Sequence, residues 1–383
     1  MMRRVAIVGI GFTPFRPLSP EVSYRELVYE SAQRAYHDAG INPREDVDSF
    51  ITVAEDYEEG TAIFDEYTPD QLGAALRPVH TITADGLYAI SAGYMLIQTG
   101  QCEVVVVEGH SKASNVLTPS YISALALDPI YNRPLRFHPA CLAGMEMARF
   151  LVETGTVREQ CLRVAVKNRR NALLNPLAPY GADLTLEEAL ASPPAFAPLS
   201  EVEMSRSADG AIVVVLASEE ATRRLKGHPV WIRGVGWCSD SPTLETREWG
   251  EAVYAHLSAR MAYRLAGIRN PAREVHLAEI DDTYAYKELM HMEALGLCRR
   301  GEAGRLVEEG ATERDGLLPV NVSGGSLGMG HLGEATGLAR LAEAVMHLRG
   351  DAERRQVKGA QTALVQSWRG VPSSSGAVVV LGV

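Results

Sequence analysis

Asn321-Val322-Ser323-Gly324-Gly325, then Gly330-His331-Leu332-Gly333-Glu334-Ala335-Thr336-Gly337, is the stretch on which the reading of this chain turns. Its glycines let the backbone turn sharply and come close to a neighbour. The residues that follow, Leu338, Leu341, Ala344, Val345 and Leu348, recur at helical spacing, so the turn opens a helix. A helix start carries backbone N–H groups without internal partners, at the positive end of the helix dipole. An oxyanion is stabilised at such a place. His331 adds a group that donates a hydrogen bond or takes a proton near neutral pH. The plainer alternative is a glycine-rich loop with a surface histidine; the density of glycine favours a working site, with His331 catalytic and Ser323, Gly324, Gly325 and Gly330 touching the ligand. A second turn of the same kind, Thr83-Ala84-Asp85-Gly86, also precedes a helical pattern.

Outward from these turns the chain alternates strand and helix. Arg4 to Gly11 reads as a strand. Ser23 and Glu26 form a capping box, Val28, Ala32, Ala35 and Ala39 share one helix face, and Gly40 ends the helix. Ser49 to Val53 is a short strand. Leu87, Ile90, Tyr94 and Ile97 give the next helix, and Val104 to Val107 is a β-branched run suited to a strand covered on both faces. Strand, helix, strand is the unit of a layered α/β fold. From about 117 to 203 prolines interrupt this rhythm, with helical segments at Cys141 to Glu153 and Arg158 to Asn171 between them; this reads as an inserted cap. Ala211 to Leu216 is again a strand. The second half repeats the order: strands at Val230 to Val235 and Val275 to Ile280, helices at Ala252 to Ala266 and Tyr286 to Leu297, then the helix after His331 and a closing strand, Ala377 to Leu381. Two related α/β units are expected, 1–245 with the cap and 246–383.

Composition narrows the function classes. The 383 residues carry a formal net charge of -11, which opposes binding to phosphate backbones and argues against a nucleic-acid partner. The cysteines, Cys102, Cys141, Cys161, Cys238 and Cys298, contain no C-x-x-C pair and are odd in number, against a disulfide framework or structural zinc. Met1-Met2-Arg3-Arg4 precedes an apolar run that stops at Thr13-Pro14, too short for a signal sequence, and no run reaches the length of a membrane span. A cytoplasmic protein that holds no metal is expected.

Several segments in order resemble the thiolase superfamily, above all thiolases of the sterol-carrier-protein and archaeal types. The family's N-x-S-G-G…G-H-P-x-G-A-T-G block matches Asn321 to Gly337. Its H-D-C-F…E-A-L-G block matches Asp281-Asp282-Thr283-Tyr284 through Glu293-Ala294-Leu295-Gly296. Val166 to Arg169 with Asn175-Pro176, Ser207 to Ala211, and the opening Val5 to Thr13 match further segments. The resemblance implies a five-layer α/β core of two related halves, a cap domain over the site, a homodimer or homotetramer, and acyl-CoA as the ligand class. It implies no tightly bound cofactor, with the coenzyme A thioester as substrate.

The chain also departs from that pattern. In the family a cysteine at the start of a central helix carries the acyl group; the matching position is Thr83. Asp281 stands for the first histidine of H-D-C-F, Thr283 for its cysteine, Leu332 for the proline of G-H-P and Glu334 for a glycine. Gln366-Ser367-Trp368-Arg369-Gly370 replaces the second cysteine's region, and Val371 to Ser375 reads as a small insertion. A threonine hydroxyl is a poor nucleophile without a dedicated base. Cys102 and Cys141 read as packing. The expected activity is therefore C–C bond formation or cleavage beside a CoA thioester without a cysteine acyl-enzyme, of aldolase or retro-aldolase type. Thr83, Asp281, Tyr284 and Tyr88 are the candidates to help His331. The opposing reading is a non-catalytic subunit that binds acyl-CoA or stabilises a partner. The resemblance implies, as partners, a zinc-ribbon/OB-fold chain or a second thiolase-like subunit. Arg169, Arg170, Arg223, Arg224 and Lys226 are weak candidates for the CoA phosphates.

Overall fold

The computed structural model describes residues 3–55, 62–116, 118–370 and 374–383. Val371 to Ser373, most of the insertion read from the sequence, lie outside the described residues. The strands are β1 (Val5–Phe12), β2 (Ser49–Val53), β3 (Val79–Ile82), β4 (Val104–Lys112), β5 (Pro194–Phe196), β6 (Leu199–Ser200), β7 (Asp209–Ser218), β8 (Val230–Cys238), β9 (Leu277–Glu279), β10 (Thr362–Trp368) and β11 (Gly376–Gly382). β5 and β6 pair alone; the others form one sheet in the order β3-β2-β4-β7-β1-β8-β11-β10-β9.

The repeat expected from the sequence is present in this order. β1 and β8 meet antiparallel at Val5↔Ile232 and Ile7↔Val230. Outward from that join, β7 is antiparallel to β1 and β4 antiparallel to β7, while β2 is parallel to β4 and β3 parallel to β2. On the other side β11 is antiparallel to β8, β10 antiparallel to β11, and β9 parallel to β10. A parallel bridge from Ala278 to Val320 takes the place of β3. By strand order the second repeat opens at Val230, ahead of residue 246. β10 is a buried strand that the sequence reading passed over.

Side-chain alternation sorts the core into layers. Ile7, Val105 and Leu216 on one half, with Leu277, Val365 and Val379 on the other, face a central cluster built on Leu87, Ile90 and Ile97 of the helix Gly86–Gln98 and Leu338, Leu341 and Val345 of the helix Thr336–Arg349. The opposite faces, Val8, Val106 and Val213, pack on Val28, Ala32 and Ala35 of the helix Tyr24–Ala39. In the second half Leu364, Val378 and Val380 pack on Ala255, Ala259 and Ala262 of the helix Val253–Ala266 and on Leu289 of Ala285–Ala294. The result is helix, sheet, helix, sheet, helix. Strands covered on both faces favour apolar residues on both sides, which is why Val104 to Val107 of β4 and Ala211 to Ala217 of β7 read as continuous runs rather than alternating ones. Cap residues Leu142, Met147, Phe150 and Val164, from helices Pro139–Thr154 and Arg158–Ala172, join the outer cluster of the second half, although they precede it in the chain.

Each repeat's first strand comes very close to its first helix. A Cβ on Gly9 or Gly11 would lie 2.5 Å from Ala35 O or 2.1 Å from Ser31 O. On Gly234 or Gly236 it would lie 2.1 Å from Ala262 O or 2.2 Å from Ser258 O. The spacing Ile-x-Gly-x-Gly in both strands is the same packing solution used twice.

Candidate active site

The two central helices start side by side, and one carboxylate caps both. Asp85 is the N-cap of Gly86–Gln98; its Oδ1 accepts from Leu87 N at 2.9 Å. Its Oδ2 accepts from Gly337 N at 2.9 Å, in the first turn of Thr336–Arg349. Gly337 has no side chain because a Cβ there would sit 2.1 Å from Asp85 Oδ1. Burial lifts the Asp85 carboxyl to about 6, against the Leu87 amide, Ser367, the Arg340 charge and the Gly337 amide.

At this junction a cleft with about 230 Å³ of empty space, part of it open to solvent, is lined by Glu55, Asp85, His331, Gly333, Glu334, Trp368 and Arg369. His331 is half-buried and held by its backbone: its N–H donates to Arg206 O at 2.7 Å and its carbonyl accepts from Ala208 N at 2.9 Å. Its Nδ1 accepts from Gly333 N at 3.2 Å. A nitrogen that accepts carries no proton, so the neutral ring keeps its proton on Nε2, which has no partner among the described residues. Burial pushes the imidazole down to about 4, against the Asp281 charge and with the Arg340 charge. At neutral pH the group is therefore an uncharged N–H donor. Glu334 is buried. Arg369 pairs with Glu55 and donates from Nη2 to Thr83 O at 3.0 Å. Trp368 lies over the Lys287 ammonium at 4.0 Å, and Lys287 is paired with Glu146 at 2.6 Å.

A larger hollow of about 650 Å³ lies elsewhere, lined by Phe150, His256, Met290 and Glu293 among others. Its one guanidinium, Arg300, is already paired with Glu153 and Glu251. The small cleft at the helix starts, where polar groups converge, is the better candidate site.

A family model described as thiolase C-terminal domain-like matches residues 239–382. An acetyl-CoA acetyltransferase of Methanothermobacter thermautotrophicus is 32% identical over 374 residues, spanning 96% of each chain. The chain belongs to the thiolase superfamily. Sterol carrier protein 2 of Oryctolagus cuniculus is 30% identical over 94% of this chain and 69% of its own. Among solved structures, one called Ltp2-ChsH2(DUF35) aldolase matches with a TM-score of 0.85 and 27% identity, over 100% of this chain and 98% of the other.

Within this thiolase fold the residues singled out from the sequence separate. His331 is in the cleft. Thr83 is exposed, two residues before the N-cap, and is not among the described residues that line the cleft; its carbonyl accepts from Arg369. Asp281 is 1% exposed and paired with Arg340 at 2.8 Å. Burial pushes its carboxyl up, but Arg340 and His291 hold it below the usual range, so it is a poor base. Tyr284 sits behind the cleft, stacked on Tyr286 at 6.1 Å and edge-on to Trp368 at 6.2 Å. Tyr88 donates to Cys238 O at 3.2 Å, and burial raises its phenol well above the ordinary value.

Ser323, Gly324, Gly325 and Gly330 are buried, and the amides expected to be open at their turn are taken. Gly325 N donates to Ser323 Oγ at 3.1 Å, Ser326 N to Asp282 Oδ1 at 2.6 Å and Leu327 N to Asp282 Oδ2 at 3.3 Å. A ligand role for these residues gives way to a positioning role. Gly325 at φ +56 leaves room for Asp282, which a Cβ would meet at 2.1 Å, and Gly330 at φ +93 turns the chain so that His331 reaches the cleft. Of the cleft residues, Asp85, Glu55, Trp368 and Arg369 were not candidates. The Asp85-Gly86 pair ahead of an apolar helix was a legible N-cap signal.

Behind the turn Ser323 donates from N and Oγ to Glu279, at 3.1 and 2.5 Å. Burial and the neighbouring Glu343 charge raise the Glu279 carboxyl to about 8, against the Ser323 bonds. Between about 4.5 and 8 the folded protein thus binds a proton that the unfolded chain releases, so this group's contribution falls as pH rises through that window. The stability of Glu279→Gln relative to the parent is expected to improve by roughly 2–4 kcal/mol between pH 4.5 and 8.5. Urea denaturation across that range checks it, and a pH-independent difference between the two proteins would overturn it.

Proposed function

We propose that the cleft stabilises the enolate of an acyl-CoA thioester and makes or breaks the neighbouring C–C bond by aldol chemistry, with no acyl group carried on the protein. The observation that carries this is the state of His331: an uncharged imidazole with Nδ1 occupied and Nε2–H free for the thioester oxygen, in a cleft whose described lining contains no cysteine. A donor aimed where charge develops favours an enolate, and a neutral one does so without giving up its proton. The likeness to a structure called an aldolase supports the same reading, and that structure's second component, ChsH2(DUF35), supports looking for a small partner chain here.

In the cleaving direction a base takes the proton of a β-hydroxyl, that oxygen becomes a carbonyl, the Cα–Cβ bond breaks, and its electron pair enters the thioester enolate. The enolate then takes the proton back at Cα, so nothing is consumed. Glu334, buried in the cleft wall and close in sequence to His331, is the carboxylate assigned as base.

The experiment is incubation with a panel of β-hydroxyacyl-CoA thioesters, with the shorter acyl-CoA and the released carbonyl followed by mass spectrometry. Glu334→Gln is expected to slow cleavage by about 100-fold or more with substrate affinity little changed. No cleavage of any substrate by the parent protein, alone or with a copurifying partner, would establish the non-catalytic subunit instead.

A further inference from the structure

Several arginines here pair with a carboxylate. Arg170 pairs with Glu313 at 2.6 Å, Arg163 with Glu159 at 2.7 Å and Arg340 with Asp281 at 2.8 Å. Arg169 and Arg206 form no ion pair among the described residues, and both are near enough to Tyr180 for the Arg206 charge to act on Arg169. Arg169 is only 7% exposed, yet among the described residues its side chain makes one hydrogen bond, from Nη2 to Val202 O at 3.3 Å, and its Nε is enclosed without a partner there. The exposed Arg206 has its guanidinium 5.8 Å from the centre of the Tyr180 ring. Tyr180 is fixed by its hydroxyl on Ser207 O at 2.6 Å and by its N–H on Gly328 O at 3.0 Å.

Two neighbouring cations without a counter-ion, one nearly enclosed, are a costly arrangement. Burial and the Arg206 charge both lower the pKa of Arg169, while Asp282 and Tyr180 raise it. Asp282, however, is committed to Arg340, Asn168 and the turn amides. The pair also sits against the catalytic turn: Arg206 O accepts from His331 N at 2.7 Å, and a Cβ on Gly330 would meet Tyr180 at 3.2 Å.

The geometry points to Arg169 and Arg206, with Tyr180 as their wall, as a binding site for an oxyanion, a phosphate or carboxylate group, beside His331. Guanidinium groups present planar N–H pairs that match such oxygens two at a time. That the oxyanion belongs to an acyl-CoA, at its phosphates or at a carboxylate of its acyl chain, rests on the function proposed above; the site itself does not.

Inorganic phosphate, CoA and dephospho-CoA would be titrated by calorimetry into the full chain and into Arg206→Gln and Arg206→Lys. Arg206 is exposed, so these variants are expected to fold. Phosphate should bind the parent, bind Arg206→Gln about 10-fold more weakly, bind Arg206→Lys between the two, and weaken as salt rises. An equal loss for CoA places its phosphates in the site, and a smaller loss for dephospho-CoA than for CoA singles out the 3′-phosphate. Loss for phosphate with unchanged CoA supports the site and leaves the acyl carboxylate as its natural occupant. Equal phosphate affinity in the parent and Arg206→Gln, or no phosphate binding to the parent, overturns the proposal. Phosphate binding with no CoA binding would keep the site and sink the acyl-CoA reading.

Discussion

His331→Ala is expected to lower β-hydroxyacyl-CoA cleavage by about 100- to 1,000-fold, the usual consequence of deleting one preorganised oxyanion donor. The size follows from how the ring is held. Its backbone is bonded on both sides, by Arg206 and Ala208, and its Nδ1 by Gly333, so Nε2–H is fixed before substrate arrives. The ring can be lost without structural cost beyond these contacts, because the backbone bonds do not depend on the side chain. The loss should appear in kcat more than in substrate affinity, since the enolate forms only in the reaction. With its pKa near 4, the imidazole should contribute no inflection near pH 6.5 to the rate profile. Thr83→Ala, by contrast, should leave turnover unchanged, because its side chain is exposed and outside the cleft lining. A Thr83→Ala protein as impaired as His331→Ala would mean that the nucleophile, not the histidine, carries the chemistry.

Arg340→Met is expected to destabilise the fold by about 3–5 kcal/mol, the cost of leaving buried charge without its partner. Arg340 is fully enclosed in the helix that starts at the cleft. It pairs with Asp281 at 2.8 Å and Asp282 at 3.5 Å, and donates to Ser326 Oγ at 2.6 Å. Removing it strands both carboxylates; Asp282, raised to about 6 by burial even with Arg340 present, would be pushed further up. Asp282 is also the group that caps the turn before His331, so the site should loosen with the fold. Urea denaturation of Arg340→Met and of Arg340→Met/Asp282→Asn measures this. The second change should recover part of the loss by removing one stranded charge. A loss under 1 kcal/mol would show that the buried network is held by its hydrogen bonds alone.

Much of this was legible in the sequence. The capping box at Ser23 and Glu26 is local chemistry, and the Glu26 carboxylate accepts from Ser23 N and Oγ at 2.8 and 2.9 Å as its spacing suggested. Doubly covered strands announce themselves as runs such as Val104 to Val107. The two repeats left their mark as Ile7-Val8-Gly9-Ile10-Gly11 and Ile232-Arg233-Gly234-Val235-Gly236, because each first strand must admit a helix backbone at the same two places. Thiolase-superfamily membership followed from motifs whose order along the chain is itself information.

What tertiary structure alone decided is which polar residues face the cleft and which face each other. His331 and Asp281 look alike in a motif, yet one presents an open nitrogen and the other is locked to Arg340 across the core. Asp85 gained its role from Gly337, a residue far along the chain that only the convergence of two helix starts brings within 2.9 Å. Periodicity reports which side of an element is buried, and that suffices for strands and helices. Whether a buried polar group ends with a partner or with a ligand depends on non-local neighbours, and no local pattern records them.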